Sequence, residues 1–382
     1  MRRLAALLLP ALAVVAPVAP AGGAPVAPQE VRATAATGCR VVAVAGGRVA
    51  TRATARGPGR PVLLRVPAGA VVRLRRPVPR RCRRGGLRVG RGAAVTPGPA
   101  ADAPRLWLAP VPHAVAQAAA WRAVRPQDAA AMERLAAIPQ AVWLTGDAPS
   151  ARAVTAEVTA AAAAAGRVAV LVAYAIPGRD CGAHSAGGEP DGGRYRAWVA
   201  AVAAAIRGTP IVVLEPDALA LADCLPAAAR EQRLDLLRDA AAALRAAGAR
   251  VYVDAGHAAW HPAEEAAARL RRVGATHFAL NVSNFGRTAD EAAYGRRVAA
   301  LLGPGAGFVL DTSRNGNGRL AGEWCNPPGR AVGQAPTLTP AEPGVDALLW
   351  VKRPGESDGP CAGGPRAGTW WPEAALALVR AR

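Results

Sequence analysis

The chain has 382 residues, of which 52% are hydrophobic and 19% are charged, and its formal net charge is +20. Its length and apolar content are sufficient for one large domain and a smaller one, which excludes a fibre or a disordered tail. Eighteen arginines and one glutamate give residues 1–100 a net charge of +17, so +3 remains for residues 101–382. The high positive charge therefore belongs to the N-terminal segment.

The N-terminus has the features of a secretory leader. Met1-Arg-Arg precedes the apolar run Leu4–Val15, and Ala19-Pro-Ala21 offers a small-residue cleavage site. A transmembrane anchor needs about 20 apolar residues, and this stretch is too short and is broken by Pro10 and Pro17. We therefore expect residues 1–21 to be removed, with the mature chain beginning near Gly22 and released outside the cell.

Residues 22–92 are rich in arginine and contain no aromatic residue. Residues 31–100 include 16 arginines and no acidic residue. Alternating apolar and arginine positions, as in residues 62–66 and 71–75, predict short strands with one solvated face. The segment is therefore expected to be a small basic β module. Its charge either attaches the protein to an anionic envelope polymer or only keeps the module soluble.

The remaining chain begins with a Pro/Ala/Gly linker at residues 93–104 and continues as a larger domain at 105–382. Short apolar runs predict strands at 105–109, 141–144, 168–174, 211–215, 250–254, 278–282, 307–311 and 347–351. Ala-rich segments predict helices at 151–165, 194–207, 226–247, 262–272 and 288–302. Eight such βα-like units predict a parallel barrel, with an open doubly wound sheet as the alternative.

Six cysteines in an exported chain favour disulfides over metal ligands. Their order in the sequence suggests a bridge between Cys39 and Cys82, which leaves the pairing of the other four open. No two cysteines have the CxxC spacing, so a zinc site is not expected. No nucleotide-binding glycine motif follows an early strand. We expect no metal and no cofactor.

Four predicted strands end in acidic loops. These loops carry Asp180, Asp217, Asp254 and, after the last strand, Glu356 with Asp358. Loops that follow parallel strands lie on one face of an α/β domain, so the carboxylates can meet in one cleft. Paired carboxylates suit hydrolysis of a glycosidic bond, in which one protonates the leaving oxygen and another assists the attacking water.

Seven sequence blocks carry a resemblance to a known family. They are Tyr174-Ala-Ile-Pro-Gly-Arg-Asp-Cys-Gly-Ala-His-Ser-Ala-Gly-Gly188, Leu214-Glu-Pro-Asp-Ala-Leu219, Asp254-Ala-Gly-His-Ala-Ala-Trp260, Asn281-Val-Ser-Asn284, Asp311-Thr-Ser-Arg-Asn-Gly-Asn-Gly318, Glu323-Trp-Cys-Asn-Pro-Pro-Gly-Arg330 and Trp350-Val-Lys-Arg-Pro-Gly-Glu-Ser-Asp-Gly359. In this order they resemble glycoside hydrolase family 6, the inverting β-1,4-glucanases and cellobiohydrolases. The resemblance covers residues 105–382 and implies a distorted parallel β/α barrel.

The resemblance implies roles for the carboxylates. Asp217 corresponds to the general acid, and its pKa must be raised for it to act as one. Asp180 is the neighbour that shares this proton and, with Ser185, orients a chain of waters. Asp358 corresponds to the candidate base. Asp254 corresponds to a supporting carboxylate, for which a purely structural role is the alternative.

Other residues are expected to contact the sugar. Tyr174 corresponds to the tyrosine beside the sugar at the cleavage point, unless it is a core residue. Indole faces can stack on sugar rings and polar side chains can bind hydroxyls, and the candidates are Trp121, Trp260, Trp324, Lys352, Glu356, His257 and Asn284. Each tryptophan could instead belong to the core. Asp311 is expected to be structural, and Phe285 stands where the family often has a tyrosine.

The resemblance also implies the remaining disulfides, Cys181 with Cys224 and Cys325 with Cys361. Each bridge would brace a loop that holds a catalytic carboxylate.

The family contains open-cleft endo-acting enzymes and exo-acting enzymes with a roofed tunnel. The stretch Asn326–Asp346 is short and no long insertion interrupts the blocks, which predicts an open cleft and endo action on a β-1,4-glucan. A cellobiohydrolase and a non-catalytic glucan- or envelope-binding protein are the alternatives. We expect a monomer without a nucleic-acid partner.

Overall fold

The computed structural model describes residues 105–381 and, upstream of these, the backbone of seven strand segments. The chain divides into two compact units, Met1–Ala103 and Pro104–Arg382. Within the described part, we find no helix with both the length and the apolar composition that crossing a membrane requires.

The N-terminal unit contains short antiparallel strands. They are β1 (Val14–Val15), β2 (Gln29–Thr34), β3 (Arg40–Ala45), β4 (Arg48–Thr54), β5 (Val62–Val66), β6 (Val71–Leu74) and β7 (Arg88–Arg91). They form two sheets with the orders β1-β6-β3-β4 and β5-β2-β7. The strands expected near residues 62–66 and 71–75 are present as β5 and β6. The leader cleavage site, the linker at 93–104, Cys39 and Cys82 lie outside the described residues.

The second unit is built on a parallel sheet of seven strands. They are β9 (Val142–Leu144), β11 (Val170–Ala173), β12 (Ile211–Leu214), β13 (Arg250–Asp254), β14 (His277–Leu280), β15 (Gly307–Asp311) and β16 (Val345–Leu349), and each pairs with the next along the chain. A separate pair joins β8 (Arg105–Leu106) to β10 (Arg167–Val168). The predicted first strand is thus shorter than expected and lies outside the main sheet.

Eight helices pack around this sheet within residues 105–381. They are α1 (Pro112–Trp121), α2 (Pro126–Ala136), α3 (Ala148–Ala164), α4 (Gly192–Ala205), α5 (Ala227–Ala246), α6 (Ala263–Arg272), α7 (Thr288–Leu302) and α8 (Pro372–Arg380). Asp147 and Asp191 cap α3 and α4 by accepting a backbone amide hydrogen bond three residues on. Helices α1, α2 and α8 were not predicted.

Both faces of the sheet are apolar because alternate strand residues enter different cores. Leu171 and Val212 face the helices, whereas Val172 and Val213 face the barrel interior. Four-residue strands of β-branched and Leu residues, such as β12, are buried along their whole length.

The two edge strands nearly close the sheet into a ring. The amide of Ala141 donates to the carbonyl of Trp350 at 2.9 Å, and the Trp143 indole donates to the carbonyl of Val351 at 2.8 Å. The result is a curled sheet surrounded by helices, a distorted β/α barrel. The predicted parallel barrel is confirmed, with seven strands in the main sheet instead of eight.

Candidate active site

The predicted acidic loops meet at the carboxyl ends of the strands. The backbone amide of Asp217 donates to Asp254 Oδ2 at 2.9 Å. The loop that carries Asp180 reaches the loop that carries Asp358, because the His184 ring packs so closely on Gly359 that a Cβ there would lie 2.6 Å from it. The four carboxylates therefore occupy one face of the barrel, as expected from their positions after strands.

Several residues of this face have an unusual backbone conformation. Asp180, Glu215 and Asp217 have φ angles of 54°, 49° and 70°, in the left-handed region that non-glycine residues rarely adopt. Such conformations cost free energy and persist where the surrounding contacts enforce them, often at functional sites. The contacts of this face therefore hold three acidic residues in conformations that cost some stability.

Asp217 is in a site that favours its protonated form. Burial, together with the negative charges of Asp180 and Asp358, raises the pKa of Asp217 to about 7, against the opposing charge of Lys352. A carboxyl group with this pKa can carry a proton near neutral pH and donate it to a leaving oxygen.

Asp254 lies beneath Asp217 and is 1% exposed. Its Oδ2 accepts the amides of Asp217 and Gly256, at 2.9 and 3.2 Å, while Oδ1 is buried without a partner among the described residues. Burial and the neighbouring charge of Asp217 raise the pKa of Asp254 well above its usual value. The arrangement positions the backbone of Asp217 whether or not Asp254 also has a direct role.

Asp180 organises the loop that follows β11. Its Oδ2 accepts the backbone amide of Ser185 at 2.7 Å, and Arg179 Nε donates to the Ser185 carbonyl at 2.9 Å. The disulfide between Cys181 and Cys224 ties this loop to the segment before α5. The predicted pairing is confirmed, and so is that of Cys325 with Cys361.

Asp358 is in the opposite electrostatic environment from Asp217. Arg314 Nη1 lies 2.9 Å from Asp358 Oδ2, Lys352 Nζ lies 3.6 Å from Oδ1, and the amide of Asn326 donates to Oδ2 at 3.0 Å. Burial alone would raise the pKa of Asp358, but the charges of Arg314 and Lys352 outweigh it and lower the pKa below its usual value. Asp358 therefore loses its proton at a lower pH than Asp217 does.

Asp311 is a structural anchor beneath this part of the site. Its carboxylate accepts four backbone amides at 2.9 to 3.1 Å, from Ser283, Ser313, Val351 and Lys352. One buried side chain thus ties together the loops that follow β14, β15 and β16.

Sequence reasoning missed Glu215 and Arg233. Glu215 is fully buried and accepts the amides of Ala175 and Ile176 at 3.0 and 3.1 Å. Burial raises the pKa of Glu215 to about 7. Arg233 is 2% exposed, and its Nη2 donates to the carbonyls of Pro177 and Gly178 at 3.0 and 2.8 Å. Glu215 lies in a quoted block and could have been found there, whereas Arg233 lies in a helix with no sequence signal.

Tyr174 lies beside the acidic residues. Burial and the negative charges of Asp217 and Asp180 raise the pKa of Tyr174 well above its usual range, so the phenol is neutral. The Arg179 guanidinium lies over its ring at 4.7 Å, and Trp143 meets it edge-on at 5.2 Å. Trp143, which was not singled out from the sequence, is a partly exposed indole next to the catalytic face.

The three predicted tryptophans have different environments. Trp121 is 8% exposed and packs in a third core with Met132 and Trp350, which favours the core interpretation that its sequence left open. Trp260 is partly exposed and lies 5.2 Å from His257, whereas Trp324 is 56% exposed. Trp260 and Trp324 offer accessible indoles on the loops of the cleft.

The predicted polar contacts Glu356, Asn284 and His257 also have different environments. Glu356 is paired with Arg353 at 3.1 Å, and Asn284 Nδ2 donates to the carbonyl of Val282 at 3.1 Å. Burial and the charges of Arg319 and His261 lower the pKa of His257 to about 4, so this ring is neutral. A neutral imidazole can bind a sugar hydroxyl.

One grouping of potential metal ligands appears among residues 105–381. It consists of His184, Cys325 and Cys361, but both cysteines are in a disulfide and offer no thiolate.

Comparison with known proteins identifies the second unit. The sequence profile of Glycosyl hydrolases family 6 matches residues 102–382. The chain belongs to this family.

Named relatives each match about two thirds of this chain. Endoglucanase A of Cellulomonas fimi is 52% identical over 267 residues, which cover 68% of this chain and 58% of that protein. The chain thus spans little more than half of this curated relative. Exoglucanase 3 of Agaricus bisporus is 31% identical over 66% of this chain and 68% of its own length.

A solved structure in the family superposes on the catalytic unit. It is the endoglucanase Cel6 from Mycobacterium tuberculosis in complex with methyl-cellobiosyl-4-deoxy-4-thio-β-D-cellobioside, with 41% identity and a TM-score of 0.68, covering 73% of this chain and 97% of that one. The family 6 fold expected from the sequence blocks is confirmed.

Proposed function

We propose that the protein is a secreted endo-β-1,4-glucanase that hydrolyses internal bonds with inversion. The observation that carries the proposal is the opposite tuning of two carboxylates on one face, with the pKa of Asp217 raised to about 7 and that of Asp358 lowered. Two carboxyl groups whose environments separate their pKa values can be assigned as acid and base. Similarity to named endoglucanases supports the substrate class.

In the proposed mechanism Asp217 donates its proton to the glycosidic oxygen as the bond to the anomeric carbon breaks. Positive charge develops on the sugar ring, and a water attacks from the opposite face. Asp180 and the Ser185 region orient this water, and Asp358 takes up its proton directly or through a second water. A carboxylate of low pKa is a weak base, but an oxocarbenium-like centre needs little deprotonation of the attacking water.

The sugar at the cleavage point would lie against the neutral phenol of Tyr174, which is only 6% exposed but, unlike Trp121, lies near the charges of Asp217 and Asp180. Trp324 would supply an exposed indole face and Trp260 a partly exposed one. Polar contacts would come from the buried Lys352 and from His257 and Asn284. Glu356 would act mainly by holding Arg353. We assign Trp121 no sugar contact, because it is buried in the core between α1 and α2.

Endo action is favoured because the named endoglucanase relative is more similar than the named exoglucanase. The test is hydrolysis of carboxymethylcellulose by the purified protein, with viscosity and reducing ends followed together. A steep fall in viscosity per new reducing end supports endo action. Cellobiose release with little loss of viscosity would indicate an exo-acting enzyme, and inactivity on every β-1,4-glucan would indicate a binding protein.

Export is proposed from the predicted leader, and the two disulfides support it because such bonds persist in oxidising compartments. N-terminal sequencing of protein from the culture medium should find a start near Gly22. A cytosolic product that keeps Met1 would contradict export.

We further propose that the arginine-rich module attaches the protein to an anionic envelope polymer, and that the protein is monomeric. The module's 16 arginines, against the single acidic residue Glu30, support electrostatic attachment. Retention on an anionic cell-wall fraction should be strong at low salt and lost at high salt. Failure to bind this fraction at low salt would exclude electrostatic attachment. Light scattering of the purified protein tests whether it is a monomer.

A further inference from the structure

Two arginine side chains meet at the backbone of Gly318, and a third lies against Gly286, the residue before Arg287. The Arg287 side chain lies flat on this glycine, where a Cβ would be 2.8 Å from Arg287 Nε. Arg330 Nη1 donates to the Gly318 carbonyl at 2.6 Å. Arg319 lies against Gly286, where a Cβ would be 2.8 Å from Arg319 Nη2. A glycine with φ of 73° permits this close approach.

The charge of this cluster is only partly neutralised. Arg287 and Arg330 both donate to the carbonyl of Asn317, at 3.4 and 3.3 Å, so two guanidinium groups share one neutral acceptor. Within residues 105–381 neither forms an ion pair, whereas Arg319 is paired with the buried Glu291. Three cations therefore face one carboxylate, and Arg287, which is exposed, has most of its donors free for a ligand.

The cluster lies on the catalytic face. Its arginines are in the loops that follow β14 and β15, and the parallel strands β13 and β16 flank these two. Asn315 Nδ2 donates to the Gly286 carbonyl at 3.0 Å, and the preceding residue, Arg314, holds Asp358.

On the other side, Glu291 joins the cluster to the loop that follows Asp254. One Glu291 oxygen binds Arg319, and the other accepts the amide of Ala258 at 2.9 Å. The arginines are thus held between the loops of Asp254 and Asp358.

We propose that Arg287, Arg319 and Arg330 form an anion subsite that binds a carboxylate carried by the glucan chain, such as a unit oxidised at its C6 position. Guanidinium groups present planar pairs of donors that match a carboxylate. An anion placed there would also relieve the repulsion between two guanidiniums that lack acidic partners. The inference rests on the proposed glucanase function and specifies a substrate class for the same cleft.

The test compares cello-oligosaccharides of one length with and without C6 carboxylates, using the full chain. The variants are Arg287→Gln and, as a control of equal charge change, Arg152→Gln on an exposed position of α3. At about 20 mM salt we expect Arg287→Gln to lower the oxidised-to-neutral ratio of kcat/KM about fivefold. At about 500 mM salt, where the Debye length is roughly 4 Å, the difference should shrink. Arg152→Gln should leave the ratio as it is.

Two results would overturn the proposal: a ratio that Arg287→Gln does not change, or one that Arg152→Gln lowers equally. A free inorganic anion is the other source of this chemistry. One outcome is that sulfate inhibits hydrolysis of the neutral substrate, and that Arg287→Gln removes this inhibition while leaving the oxidised-to-neutral ratio of kcat/KM unchanged. In that case the cluster is a small-anion site and the glucan proposal fails.

The function and the subsite can fail separately. If the full chain hydrolyses neither oligosaccharide, the glucanase proposal is wrong. Calorimetric binding of the same two oligosaccharides to the full chain and to Arg287→Gln then decides the subsite, since only an anion subsite makes the oxidised ligand lose more affinity than the neutral one.

Discussion

At the scale of single residues, the site depends on giving identical side chains different charges. Asp217 lies among buried carboxylates and retains its proton, whereas Asp358 lies between Arg314 and Lys352 and loses it. Burial favours the protonated form of both groups, and at Asp358 the charges of Arg314 and Lys352 reverse the direction of the pKa shift. Sequence position predicted which carboxylates meet, but not that Arg314 pairs with Asp358.

The pKa of Asp217 should respond to Asp180. Because Asp217 must be protonated to act as the acid, kcat/KM should fall as pH rises through its pKa. In Asp180→Asn the negative charge that raises this pKa is removed, so the alkaline limb of the pH profile should move to lower pH by about one unit. The measurement is kcat/KM against pH on a soluble cello-oligosaccharide.

Asp191→Asn is the matched control for this shift. It removes one charge at the exposed N-cap of α4 and preserves the acceptor oxygen. An alkaline limb that stays in place in Asp180→Asn, or moves equally in Asp191→Asn, would contradict the electrostatic coupling.

At the scale of elements, the loop that follows β11 is held from three sides. Glu215 accepts its first amides, Arg233 donates to its next carbonyls, and the Cys181–Cys224 bridge fixes the residue after Asp180. Loops at such edges are mobile unless their backbone groups are bonded. These contacts make the loop rigid where it carries Asp180.

Arg233→Met tests whether this support matters for catalysis. It removes both hydrogen bonds to Pro177 and Gly178 while keeping an apolar stem. We expect kcat to fall by about tenfold or more because a small displacement of the loop misplaces Asp180, with a smaller change in KM. The free energy of unfolding should fall by about 1–3 kcal/mol, because the carbonyls of Pro177 and Gly178 lose their donor. Steady-state kinetics and thermal unfolding measure the two effects.

Arg238→Met on the same helix is the control, since this arginine is exposed and pairs only with Asp235. An Arg233→Met protein that unfolds earlier but keeps the wild-type kcat would show that Arg233 serves stability alone.

At the scale of the whole molecule, the fold was largely predictable and the exceptions have physical causes. Strands such as β12 and β15 are apolar on both faces, and this pattern is visible in sequence. The helices α1, α2 and α8 are short and begin at prolines, where the apolar period is too brief to stand out.

The site was predictable to a similar degree. The positions of the acidic loops could be predicted because they come directly after predicted strands. The burial of Arg233 and Trp121 depends on which helices pack together, and a sequence pattern does not contain that information.

The catalytic unit should work without the N-terminal module, since the chain divides at residue 104. Residues 104–382 alone should keep kcat/KM on a soluble β-glucan within about twofold of the full chain. A truncated protein that is folded but much less active would show that the module contributes to the cleft.

The most direct test of the account compares Asp217→Ala on two substrates. A cello-oligosaccharide has a poor leaving group that must be protonated, and its kcat should fall by about 10² to 10⁴. A dinitrophenyl β-cellobioside has a leaving group, dinitrophenolate, that departs without protonation. The kcat on this substrate should therefore fall far less. An equal loss on both substrates would contradict the assignment of Asp217 as the general acid.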